Sequence, residues 1–188
     1  MNELVINRKS LVLDGLIIPP FIIAGGDMWF FDWPSNPGST AHSMFLAGLS
    51  GKTTIEGLEL AGTAAISCPN SETWLRRKIT PQSDDPLMQS AISAHTGRSV
   101  RNAGDATMLC LPLVERSLLA LEFACASSSL VLFDSAGLDP LGERRLVGCA
   151  AEKLRHGWGF LYFRFPILHG REAKTAPTNA VILSKHER

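Results

Sequence analysis

Asp134 is the side chain with the clearest chemical potential in this 188-residue chain. It follows a short apolar run, Leu130-Val131-Leu132-Phe133, and precedes Ser135-Ala136-Gly137-Leu138-Asp139-Pro140. Four apolar residues bounded by turn signals read as a buried strand of a parallel sheet. A carboxylate at the carboxyl end of such a strand stands where open α/β sheets bind ligands, and it is a natural oxygen ligand for magnesium. On this stretch alone, a strand that ends in a solvated Asp is an equal alternative. A second stretch suited to phosphate chemistry lies at 28–49. Met28-Trp29-Phe30-Phe31 reads as an apolar strand, residues 32–40 as a turn-rich loop, and Ala41 to Leu49 as a helix. Strand, loop and helix in that order can bring a phosphate to a helix N-terminus.

Other candidates carry less. Gly51-Lys52-Thr53-Thr54 has only the tail of a phosphate loop. Leu46, not Gly, stands five residues before Gly51, and the segment follows a helix instead of opening one. It reads as a turn into the next strand. Cys68, Cys110, Cys125 and Cys149 have no C-x-x-C spacing, and the five histidines (42, 95, 156, 169 and 186) are scattered, so the pattern gives no metal centre. Buried free thiols in a reducing compartment are expected.

The elements that must position these residues can be read in order. Asp139 can cap a helix that runs to about His156, and Pro140 suits its first turn, where a missing N–H costs nothing. Residues 3–24 hold four short β-rich patches (4–6, 11–13, 16–18 and 21–23) punctuated by Gly15 and Pro19-Pro20, which predicts antiparallel strands or hairpins. Further strands are expected at 55–60, 64–68, 160–163 and 180–183. Residues 71–108 are polar and turn-rich, with short helices expected at 71–79 and 86–95. The apolar stretch 109–126 reads as one buried helix, and 166–178 as a loop.

Hydrophobic residues make up 45% of the chain and charged residues 19%, a globular composition for a single domain with a full core. Lys+Arg and Asp+Glu number 18 each, so the net charge is zero and no basic excess argues for nucleic acid. Low colloidal repulsion of this kind suits a chain that lives against a partner. Charged residues interrupt the first apolar stretch, and Leu16 to Ala24 contains Pro19-Pro20 and is too short to span a bilayer. The expected location is the cytoplasm, with peripheral attachment to a membrane through another subunit as the alternative.

Taken in this order, the chain resembles the nucleotide-binding domain of ATP-binding-cassette (ABC) proteins over nearly its whole length. Residues 28–49 look like the Walker A strand, loop and helix, closing on Leu46-Ala47-Gly48-Leu49. Residues 111–134 resemble the signature helix running into the Walker B strand, and Ala136 to Pro140 look like the D-loop. The resemblance implies an α/β, P-loop NTPase-like core. Its sheet would be mainly parallel and flanked by helices, with an N-terminal antiparallel β region and a shortened helical subdomain. It divides the single domain 1–188 into a β region with the Walker A-like unit (1–70), a reduced helical subdomain (71–110) and the remainder (111–188). It also implies ATP with Mg2+ as ligands, with Gly38, Ser39, Thr40 and Asn70 at nucleotide positions and Thr40 and Asp134 at metal positions. Gly137, Leu138 and Asp139 would lie at an interface with a second cassette.

The chain departs from the family pattern at five stations. Trp33 stands at the first glycine of the phosphate loop, Ser39 at its lysine, and Pro37 removes a backbone donor from the cradle. Asn70 replaces the Q-loop glutamine, and Leu111-Pro112-Leu113-Val114-Glu115 lacks the signature glycines and serine. Ser135 occupies the place of the catalytic glutamate and Phe165, beside Arg164, that of the switch histidine. Loss of the general base alone costs about 10²–10⁴ in rate. The expectation is a cassette fold that has lost hydrolysis and pairs, as a homodimer or heterodimer, with an active cassette or a membrane permease. Two alternatives stand beside it. One is a working ATP-binding transporter subunit with divergent loops. The other is a domain whose aromatics at 29–33 line a pocket for a different ligand, against a plainer reading as core.

Overall fold

The computed structural model describes residues 3–34, 39–76, 86, 90–91, 107–165 and 181–186. The expected helix at 86–95 is described only at Pro86, Ser90 and Ala91. The loop 166–178 lies outside the described residues, as does Gly38.

The N-terminal patches are runs of apolar, β-rich residues that alternate buried and exposed positions, and they form short antiparallel strands. They are β1 (Glu3–Asn7), β2 (Leu11–Leu13), β3 (Leu16–Ile18) and β4 (Phe21–Ala24). The hairpin β2–β3 turns at Asp14-Gly15, both at positive φ, and pairs Val12 with Ile17 on its exposed face. Next come β5 (Met28–Asp32), α1 (Thr40–Leu49), β6 (Leu58–Leu60) and β7 (Ala65–Ile66). A short α2 (Glu72–Leu75) precedes α3 (Leu113–Ser127), β8 (Leu130–Asp134), α4 (Pro140–Leu154), β9 (Gly159–Arg164) and β10 (Ile182–Lys185).

One three-stranded antiparallel sheet has the order β4-β1-β6, and a five-stranded sheet has the order β10-β5-β9-β8-β7. In the larger sheet β5, β9, β8 and β7 run parallel, and only the edge strand β10 is antiparallel. The expected α/β class with a mainly parallel sheet and an N-terminal antiparallel region is therefore what the chain adopts. All four parallel strands point their carboxyl ends at the same edge.

Two apolar layers cover the faces of this sheet. Phe31, Leu130, Leu132, Leu161 and Phe163 pack with Ala41, Phe45 and Leu49 of α1 and with the N-terminal strands. Val131, Phe133, Phe160 and Tyr162 pack with α3 and α4 through Leu118, Leu121, Leu146 and Ala150. Continuous apolar sequence in β8 and β9 is the consequence of burial on both faces. Between α3 and α4, Lys153 Nζ lies 2.7 Å from Glu122 Oε2.

Several boundaries differ from expectation, each for a local reason. The strand expected at 55–60 is only Leu58–Leu60, because Ile55 to Leu58 form a turn with Gly57 at φ 87°. The helix expected over 109–126 is broken. Pro112 forces Leu111 into an extended conformation (ψ 148°), so a 3₁₀ turn at Met108–Cys110 precedes α3. The helix expected to reach His156 ends at Leu154, where Gly157 (φ 92°) donates back to the Leu154 carbonyl. β7 covers only two of the five residues expected at 64–68. The last strand starts at Ile182, not Ala180, because the Val181 N–H bonds the Ile17 carbonyl of β3 before the chain joins β5. The cysteines are free, but Cys68 and Cys110 are exposed and only Cys125 is fully buried.

Candidate functional site

The carboxyl edge of the parallel strands gathers the candidate residues. β8 delivers Asp134, β9 delivers Arg164 and Phe165, β5 delivers Asp32, and α1 returns toward the sheet from Thr40. Alternation along β8 places Asp134 on the same face as Leu130 and Leu132, the face that α1 covers. Asp134 Oδ1 accepts the N–H of Ala136 at 2.9 Å. Burial raises the Asp134 pKa above the usual carboxylate range, and the Ala136 N–H opposes part of that rise.

On the α1 side the edge is aromatic. Trp33 is fully buried and stacks on Phe45 with ring centroids 5.8 Å apart. His42, 5% exposed, meets Trp33, Phe163 and Phe165 edge-on at 5.1–5.4 Å. Burial lowers the His42 pKa from 6.5 to about 4, so the imidazole is neutral near pH 7. Ser39 caps α1, its Oγ accepting the His42 N–H at 3.4 Å. Phe165 is 2% exposed within the same layer. The aromatics at 29–33 divide: Phe31 and Trp33 are core, and only Trp29 and Phe30 are half-buried. A ligand pocket lined by all four is therefore overturned.

On the α4 side the edge is polar and internally bonded. Arg164 grips Asp32 with two hydrogen bonds, Nε to Oδ1 at 2.5 Å and an Nη to Oδ2 at 2.8 Å. Its guanidinium lies 4.7 Å from the Phe30 ring centre. Ser135 Oγ lies 2.5 Å from the Tyr162 hydroxyl, which donates to Glu143 Oε1 at 2.5 Å. Tyr162 stacks on Phe133 at 4.9 Å. Burial, and then the Glu143 carboxylate, raise the Tyr162 pKa above that of a free phenol.

The turn between β8 and α4 is tight. Leu138 N–H bonds the Ser135 carbonyl at 2.9 Å, and Gly137 sits at φ 84°, a conformation that favours glycine. A Cβ at Gly137 would stand 3.1 Å from Leu113 Cδ2, so α3 leaves little room there. Asp139 Oδ1 accepts the Gly142 N–H at 2.6 Å, the expected cap of α4. Replacing Asp139 with Ala is expected to cost about 1 kcal/mol in a urea unfolding experiment, with the unfolding slope unchanged. A stability equal to that of the parent would remove Asp139 as the cap. Leu138 packs against the α3–α4 layer, whereas Leu141 is exposed.

Asn70 Oδ1 accepts from an Arg116 Nη at 3.4 Å. The sequence singles out Asp134, Thr40 and the turn as candidates. Sequence reasoning missed the roles of Asp32, Tyr162, Glu143 and His42. Arg164 drew notice only as the neighbour of Phe165. A histidine in the first turn of an apolar helix was the available signal for His42.

No protein-family model matches the chain, and no curated protein matches it. Solved structures do. A putative metal-chelate type ABC transporter in an inward-facing conformation is 15% identical, with a TM-score of 0.61 over 86% of this chain and 73% of that one. cbiO1 from Clostridium perfringens, part of the ABC transporter complex cbiONQ, is 10% identical with a TM-score of 0.60, over 88% of this chain and 79% of that one. MJ1267, an ATP-binding cassette of an ABC transporter in its ADP conformation, is 10% identical with a TM-score of 0.60, over 88% and 82%. Among the described residues no helix is long and apolar enough to cross a membrane. At these identities the likeness concerns backbone architecture: the chain has the fold of an ABC transporter ATP-binding cassette.

Proposed function

We propose that this cassette-fold chain has lost ATP hydrolysis and serves as a structural or regulatory subunit. It would pair, as a homodimer or heterodimer, with an active cassette or with a membrane permease. The observation that carries the reading is Trp33. At the place where a phosphate loop begins on glycine, this chain sets a fully buried indole stacked on Phe45. Three further positions where the family places nucleotide or catalytic groups are committed within the fold. Ser39 caps α1, Ser135 bonds Tyr162, and Phe165 is an apolar core residue where a polar switch residue would act. These residues do not fit a nucleotide, and no step of hydrolysis can be written through them. Arg164, a cation at that edge, is paired with Asp32. Net charge zero and the preformed turn Gly137-Leu138-Asp139 support a life against a partner. In this reading the chain works as one domain, with 71–110 as its reduced helical part.

A second reading, an ATP-binding subunit with divergent loops, is favoured by one feature: Asp134 remains on the face that α1 covers, at the end of β8. Titration with labelled ATP and magnesium separates the two. The expected result is no saturable binding at millimolar nucleotide, in the parent and in Asp134→Ala alike. Tight binding that disappears in Asp134→Ala would establish the second reading and end the first. Copurification is the other arm, and a chain that stays monomeric and retains neither a cassette nor a permease would also end the first.

A further inference from the structure

We propose that Tyr162 is a strut that locks the turn at 135–139 and the first turn of α4 to the sheet without any ligand. The hydroxyl of Tyr162 has one proton, and it donates that proton to the Glu143 carboxylate, which can only accept. The remaining bond therefore runs from the Ser135 hydroxyl to the Tyr162 oxygen. Ser135, β9 and α4 are thus joined by one polarised chain that ends on a carboxylate, an arrangement in which each bond strengthens the next. The ring is fixed as well, stacked on Phe133 and edge-on to Phe30, whose other neighbours are Arg164 and His186. Ser135 and Tyr162 are both nearly inaccessible, so neither hydroxyl can exchange its partner for water. Two short-range bonds complete the lock, Ala136 N–H to Asp134 Oδ1 and Leu138 N–H to the Ser135 carbonyl.

The consequence is a turn whose shape is set from inside the protein. This inference does not depend on whether the chain has lost hydrolysis, because it concerns the turn's order in the free protein.

Hydrogen exchange resolved to single amides tests it on the full chain. Tyr162→Phe is expected to speed exchange at Ala136 and Leu138 by about tenfold to a hundredfold, the range for losing a hydrogen bond to a charged group. The central amides of β8, such as Leu132, should keep their parental rates. Glu143→Gln keeps a neutral acceptor and should give a smaller acceleration at the same two amides. If Tyr162→Phe fails to fold, Glu143→Gln decides. Unchanged rates at Ala136 and Leu138, or equal acceleration throughout β8, β9 and α4, would overturn the strut. Tyr162 is also the chain's single tyrosine, so phenolate absorbance during alkaline titration reports it alone. Ionisation is expected only as the parent unfolds, and at lower pH in Glu143→Gln. Titration of the parent as a free phenol would overturn the strut directly.

Discussion

Replacing Trp33 with Ala is expected to lower the stability of the fold by about 3–5 kcal/mol, the range for truncating a fully buried large aromatic. Trp33 has no exposed surface, and it contacts Phe45 of α1, Phe163 of β9 and His42 at once. It also sits immediately after β5, with its N–H bonded to the Arg164 carbonyl, so its loss would loosen the ends of two neighbouring strands. Urea unfolding reads the effect as a drop in midpoint with little change in slope. Val12→Ala, at a residue 68% exposed on the β2–β3 hairpin, serves as the contrast and should shift stability by no more than about 0.5 kcal/mol. Trp33→Gly places the phosphate-loop residue at this position, and it should cost at least as much as Trp33→Ala. A Trp33→Gly protein as stable as the parent would show that the indole is not an anchor, and would remove the main support for a lost nucleotide site.

What could be read from the sequence was whatever the chain encodes locally. The run Leu130 to Phe133, the cap at Asp139 and the proline at the first turn of α4 lie within eleven residues, and each follows from steric or hydrogen-bonding preferences of neighbours. The N-terminal strands were legible for the same reason, since β-rich patches and the punctuation of Gly15 and Pro19-Pro20 act over a few positions. The break before α3 was legible too. Pro112 excludes a helical Leu111, but the apolar density of 109–126 outweighed that signal. The edge network was not. Asp32 and Arg164 are separated by 132 positions, Ser135 and Tyr162 by 27, and Tyr162 and Glu143 by 19. Nothing in residue type predicts such pairs until strand order sets β9 between β5 and β8. Ser135 illustrates the point. From the sequence it is a missing glutamate, whereas in the fold its hydroxyl is bonded to that of Tyr162.

Stability is expected to fall as the pH drops from about 6.5 to about 4, and His42 should account for about 3 kcal/mol of the loss. Its pKa is lowered in the folded state from 6.5 to about 4, because an imidazolium enclosed by Trp33, Phe163 and Phe165 would lack hydration. Above the unfolded value, both states carry neutral imidazole and the full stability is present. Below it, the unfolded chain takes up a proton that the folded one refuses, so the equilibrium moves toward unfolding until the folded pKa is reached. Asp134 works in the opposite direction. Its folded pKa is raised, so protonation favours the folded state as the pH falls through the carboxylate range. The two contributions are separated by substitution. Urea midpoints measured at intervals between about pH 7 and pH 4 should fall steeply in the parent and much less in His42→Phe, which keeps an aromatic ring but cannot take up a proton. His42→Phe crowds the layer by a small volume and is expected to lower the midpoint near pH 7 slightly, so the slope against pH is the deciding quantity. Identical slopes for parent and variant would show that His42 titrates normally, and would require the aromatic layer beside α1 to admit water.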